Sequence, residues 1–120
     1  MNISKINEPL EHSSPIIKGV GVDAPMTINE HGGKQSQVLY AFDALDAKTM
    51  FAMCKVLHEG RLKYGSDENW RLIPPVEHLN HLLIHAFAYM AGDKSDEHLS
   101  HILCRAMFLY ATEYKTKEIK

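Results

Sequence analysis

The sequence predicts a mainly α fold: an antiparallel three-helix bundle behind an irregular N-terminal segment with room for a short stretch of β structure. Three observations carry this expectation. Pro9, Pro15, Pro25 and the glycines at 19, 21, 32 and 33 break the first third of the chain into turns. From Asp43 onward apolar residues recur at helical spacing. Two breaks, SDENWRLIPP and GDKS, then cut that region into three segments. A length of 120 residues accommodates one domain with a short appendage, since a second core of ordinary size needs roughly another 100 residues.

Taken in order, residues 1–28 form the irregular segment, in which one short strand fits from Pro15 to Val22. The stretch EHGGKQS at 30–36 is a glycine-bearing loop of the kind that lets backbone N–H groups approach phosphate. It lacks the GxxxxGK[ST] spacing of a Walker A loop and reads on its own as an ordinary turn. A first helix is predicted from about Asp46 to Tyr64. Asp43 or Asp46 caps it, Met50, Met53, Leu57 and Tyr64 recur along it, and Gly65 ends it in a left-handed conformation. Met50, Phe51 and Met53 are assigned to the core. The second helix starts at Pro75, because proline is tolerated in the first turn, and runs to Ala91 before Gly92 stops it. The third begins after Ser95 or Asp96 and runs to about Tyr114, leaving residues 115–120 as a frayed tail. The helical domain is placed at residues 29–114.

Composition excludes several classes. With 45% hydrophobic and 23% charged residues the chain is not wholesale disordered. A net charge of -2 gives no global basic field for a nucleic acid polymer or an anionic membrane. No apolar run approaches the ~18 residues of a membrane span, and the N-terminus lacks the apolar core of a secretion signal, so a cytoplasmic protein is expected. Cys54 and Cys104 stand in no CxxC arrangement, and each lies in an apolar helical pattern. They are read as small buried hydrophobes in a reducing cytosol. No GxSxG elbow occurs, so nucleophilic catalysis has little support.

Histidine is the abnormal count, at eight. Five of these fall in an internal echo, EHLNHLLIHA at 77–86 and EHLSHILCRA at 97–106, identical at six of ten positions. On a helix, Glu77, His78, His81 and His85 share an arc of about 100°, and Glu97, His98, His101 and Arg105 repeat it. The short GDKS turn makes the two helices antiparallel, so facing arcs would enclose a pocket. Two chemistries suit it. The Glu77/His81 and Glu97/His101 pairs can each direct a carboxylate oxygen and an imidazole nitrogen at one metal ion. Alternatively His81, His85, His101 and Arg105 form a partly cationic pocket for phosphate. Metal needs neutral imidazoles and phosphate favours protonated ones, so the two predict opposite trends below about pH 6.5. Glu four residues from a basic group is also ordinary salt-bridge support on a helix surface, and the doubling at identical offsets is what favours a site. KYGSDENW reads either as a helix stop with Trp70 packed beneath it or as base recognition by Asn69 and Trp70.

The ordered set NEHGGKQS (29–36), FDAL (42–45), VLHEGRLKYGSDENW (56–70), EHLNHLLIHAFAYMAGD (77–93) and DEHLSHILCRAMF (96–108) resembles a phage and prophage family. That family is the N-terminal domain of dATP/dGTP diphosphohydrolase, loosely MazG-like. The resemblance implies removal of pyrophosphate from a purine deoxynucleoside triphosphate with a divalent metal ion, manganese or magnesium, with zinc as a further candidate. It makes Glu59, His81, Glu97 and His101 candidates for metal binding or for orienting water, with Glu59 and Glu97 as the candidate catalytic residues, and the helical arcs add Glu77 to the metal ligands. Lys34, Lys63 and Arg105 would meet phosphates, joined by His85 from the arcs, and Asn69 and Trp70 the base. One departure stands out: MazG-like enzymes carry ExxE and ExxD pairs, whereas here Glu77 precedes Asn80 and Glu97 precedes Ser100. A histidine-rich, carboxylate-poor site suits a transition ion better than magnesium. This leaves two alternatives, a hydrolase using another metal or a domain that binds nucleotides without cleaving them. Three helices with apolar backs bury themselves best by association, so a homodimer or larger assembly is expected.

Overall fold

The computed structural model describes residues 17–22 and 24–119, with side chains as far as Tyr114. The chain divides into two compact units, Met1–Ala44 and Leu45–Lys120. In the first, strands β1 (Met26–Ile28) and β2 (Lys34–Ser36) pair antiparallel with Thr27 opposite Gln35. Asn29 builds the turn between them: its side-chain oxygen accepts the N–H groups of His31 and Gly33, both at 2.9 Å. Gly32 takes the left-handed φ of 82° that the turn requires. The N–H groups of His31 and Gly33 are therefore engaged inside the turn, as the ordinary-turn reading of EHGGKQS expects.

The strand expected over Pro15–Val22 is not found. Residues 17–22 are turns, with the Val20 N–H donating to the Ile17 carbonyl at 3.3 Å. Gly19 and Gly21 stand at φ 80° and 90°, which reverses the backbone where a strand needs extended residues. Pro15 and Ile16 lie outside the described residues.

The second unit holds helices α1 (Ala47–Tyr64), α2 (Pro75–Met90) and α3 (His98–Ile119), with a 3-10 turn at Asn69–Leu72. Each boundary has a local cause. Asp46 caps α1, accepting the Thr49 N–H at 3.0 Å and its hydroxyl at 2.7 Å, and these bonds hold its carboxyl below the usual aspartate range. Gly65 ends α1 at φ 74° with its N–H on the Arg61 carbonyl. Pro75 opens α2. At its end the Gly92 N–H meets the Tyr89 carbonyl and the Asp93 N–H the Ala88 carbonyl, the paired bonds of a Schellman stop. α3 starts at His98, after Glu97, and continues past Tyr114 to Ile119.

α3 is the central helix, packing along α2 and more lightly on α1 and the 3-10 turn. His78 meets Arg105 while His85 meets His98 and His101, so α2 and α3 run antiparallel. Trp70 stacks on Phe108 with ring centres 4.6 Å apart. Among the described residues the buried side chains are Cys104, His78, His98 and Thr112. Two core expectations fail on α1, where Phe51 is 79% exposed and Cys54 is exposed. The light contact of α1 with α3 buries only the side of α1 carrying Met50, Met53 and Leu57, which are partly covered. Among the described residues no helix is long and apolar enough to cross a membrane.

Candidate functional site

A cavity of about 790 Å³ lies within the second unit. α1 contributes Glu59 and Lys63, the 3-10 turn Asn69 and Trp70, α2 Glu77, His78 and His81, and α3 His101 and Arg105. Its wall is organised by His78, which is wholly buried. The His78 Nε2–H donates to the Trp70 carbonyl at 2.9 Å, and the Arg105 guanidinium donates to His78 Nδ1 at 3.0 Å. Serving one acceptor and one donor fixes this imidazole as the neutral Nε2–H tautomer. Burial pushes its pKa below the ordinary histidine value, and the nearby Arg105 cation acts in the same direction. One end of the guanidinium is thus anchored, and the rest lines the cavity as a fork suited to an oxyanion.

Beside this wall lies a second polar cluster. His98 Nε2 is 2.6 Å from Asp93 Oδ2, and His98 Nδ1 is 2.9 Å from His85 Nδ1. The His85 ring stacks on His101 at 4.7 Å, and His101 Nε2 lies 3.3 Å from Asp96 Oδ1. One donor atom each from His85, Asp96 and His101 fall within 4.8 Å of one another. Burial, then the neighbouring His101 and His98, lower the His85 pKa, which favours a neutral ring. The Glu97 N–H at 2.8 Å keeps the Asp96 carboxyl ionised to lower pH than usual.

Of the residues expected from sequence, Glu59, Lys63, Asn69, Trp70, Glu77, His81, His101 and Arg105 line the one cavity. Lys34 belongs to β2 of the first unit. Two residues of the second unit stand elsewhere. His85 sits in the histidine cluster rather than the cavity wall. Glu97 is exposed and precedes α3, its carbonyl accepting the His101 N–H at 3.2 Å. It therefore does not rise over His101 on a helical face as Glu77 does over His81. The Trp70 ring is occupied by Phe108 stacked on it and by the Arg71 guanidinium 4.3 Å from its centre. Cys104 is buried with its thiol toward the Met53 carbonyl and its pKa raised to about 11, so it is no nucleophile at neutral pH. Sequence reasoning placed His78 and His98 on the pocket-forming arcs and Asp96 at the start of the third helix, but gave none of them, nor Asp93, a ligand or catalytic role. Both histidines lay in the repeated EHL triplets, and the acids flank the GDKSDE turn.

Fold and site together define a small helical domain whose charged, histidine-rich cavity is built between an α-helical hairpin and the turn before it. Residues 29–120 match the family described as dATP/dGTP diphosphohydrolase, N-terminal, and the chain belongs to that family. No curated protein and no solved structure matches it.

Proposed function

We propose that this domain binds a purine deoxynucleoside triphosphate in the cavity and hydrolyses it to the monophosphate and pyrophosphate with a divalent metal ion. The observation that carries the reading is the gathering of Glu59, Lys63, Asn69, Glu77, His81, His101 and Arg105 around one cavity in a chain of this family. Arg105, held by His78, and Lys63 would bind phosphate oxygens. Asn69 would meet the base edge, and the packed Trp70 would act as a wall beside it rather than as a free stacking face. Glu59 would orient and deprotonate the attacking water. A bound divalent ion would neutralise phosphate charge and acidify that water. The donors near the cavity mix the carboxylates of Glu59, Glu77 and Asp96 with the imidazoles of His81 and His101, which fits manganese or zinc better than magnesium. We place the activity in the cytoplasm, where its substrates are found.

Incubation of the purified chain with each deoxynucleoside triphosphate and Mg²⁺, Mn²⁺ or Zn²⁺ should release monophosphate and pyrophosphate from dATP or dGTP. Arg105→Ala should lower kcat/KM by at least about tenfold. No turnover in any combination would remove the hydrolase reading. A second reading, a non-catalytic nucleotide-binding or nucleotide-sequestering domain, is favoured by Asn80 and Ser100 standing where acidic pairs would otherwise be. It predicts calorimetric binding with the nucleotide recovered intact.

A further inference from the structure

We infer that His85, Asp96 and His101 form the binding site of a single divalent transition-metal ion of the zinc class, with Asp93 and His98 as the residues that position His85. The inference rests on the metal-dependent reading above for its purpose and on geometry alone for its existence.

The argument begins at Asp93, an exposed carboxylate whose pKa is lowered by the Ser95 side chain and by His98. Its Oδ2 accepts the His98 Nε2–H at 2.6 Å. His98 Nδ1 in turn faces His85 Nδ1 at 2.9 Å, so one of these nitrogens donates and the other accepts. In the arrangement a metal ion would select, His85 donates from Nδ1 and its Nε2 presents the lone pair. Metal-bound histidines are commonly oriented in this way, with the far ring nitrogen donating to an outer acceptor that is itself held by a carboxylate. His98 is buried, so this chain is fixed by packing rather than by chance surface contact.

The other two donors already stand as ligands. His101 Nε2 and Asp96 Oδ1 are 3.3 Å apart, close to the roughly 3.3 Å between two ligands at 2.0–2.1 Å from one tetrahedral ion. Drawing His85 in from within 4.8 Å completes a three-ligand set with only side-chain adjustment. Two imidazoles and one carboxylate select zinc, cobalt or manganese over magnesium, which demands oxygen ligands. Asp96 and His101 also line the cavity, so the fourth position opens toward it and would take water or a phosphate oxygen. This set shares only His101 with the Glu77, His81, Glu97 and His101 grouping expected from sequence.

The test uses metal alone on the full chain after chelator treatment, so its failure is separate from failure of the nucleotide reading. Calorimetry should show one Zn²⁺ per chain with no comparable heat from Mg²⁺, and Co²⁺ should give the visible absorption of a four-coordinate site. His85→Ala and His101→Ala should each weaken zinc binding at least about a hundredfold. Asp93→Ala should weaken it tenfold to a hundredfold and shift the cobalt spectrum, with Asp93→Asn, which keeps an acceptor oxygen, restoring part of the loss. If a histidine variant fails to fold by circular dichroism, the stoichiometry and cobalt spectrum of the unaltered chain still decide. Absence of both signals, binding that survives loss of His85 and His101, or binding abolished by Glu77→Gln would overturn the assignment.

Discussion

His78 shows how one side chain can tie a turn, a helix and a site cation together. Its ring spans from the Trp70 carbonyl to the Arg105 guanidinium with no solvent contact. Replacing it by alanine leaves a part-buried carbonyl and a part-buried cation without this partner and opens a void beside Phe108. His78→Ala should therefore cost about 2–4 kcal/mol in urea denaturation. The same residue sets a pH dependence. Its pKa in the folded chain is below the ordinary value because burial disfavours the charged ring, with Arg105 and His81 adding to the effect. Near pH 6 the unfolded chain binds more protons at this position than the folded one. Its contribution is complete above about pH 6.5 and is lost as pH falls through the lower folded-state pKa. Aspartates 46, 93 and 96, whose pKa values are also lowered, act in a separate window below about pH 4. The midpoint at pH 5 should thus lie below that at pH 7.5, and His78→Ala should shrink the difference, leaving the part due to His85, whose pKa is also lowered. Equal midpoints in the parent chain would contradict the buried neutral imidazole.

At the scale of the element, α1 depends on its two ends more than on its packing. Asp46→Ala removes the acceptor for two Thr49 donors and should lower the urea midpoint. Gly65→Ala meets no atom within 4 Å, so its cost of about 1 kcal/mol is purely that of a side chain at φ 74°. Both read out as urea midpoints, and an unchanged midpoint in either would show that helix end to be frayed. These caps are why α1 and α2 were legible in the sequence: Asp46, Gly65, Pro75 and Gly92 act locally. The hairpin was not legible, because MTI and KQS are too short to show alternation, whereas IIKGVGV shows apolar character but bends at Gly19 and Gly21. The site divides by the same logic. Glu77, His81, His101 and Arg105 lie inside helices, so periodicity placed them on faces. Glu97 stands just before the first turn of α3, where the helical angle no longer applies. Asp93 and Asp96 come from a turn, which has no period, and the shape of that turn brings each to the histidine five residues further on.

For the molecule as a whole, the helical hairpin turns its polar arcs toward the cavity and the histidine cluster and leaves much of its apolar surface exposed. On α2, Val76, Leu79, Leu83, Phe87 and Met90 recur at spacings of three and four, on the face opposite His81 and His85. They are 65%, 42%, 43%, 64% and 75% exposed. Leu99, Leu103, Met107, Tyr110 and Tyr114 repeat the pattern on α3, while Cys104 is the one fully buried hydrophobic residue among those described. At about 25 cal/mol per Å², covering these stripes would add to the apolar burial that offsets the entropy of ordering three helices. A second copy of the chain would supply further surface, since a stripe of this kind can pack against its own symmetry mate as in a helical bundle. We therefore expect a homodimer or larger assembly in solution. Light scattering after size exclusion should give a mass above 13.6 kDa, and Leu83→Asp with Phe87→Asp should shift it toward the monomer. In an isolated chain, substitutions at such exposed positions would change stability by no more than about 0.5 kcal/mol. In the assembly the same changes desolvate charge at the interface, so mass and urea midpoint should fall together and the midpoint should rise with protein concentration. A parent chain that elutes only at 13.6 kDa, with a midpoint independent of concentration, would rule the assembly out.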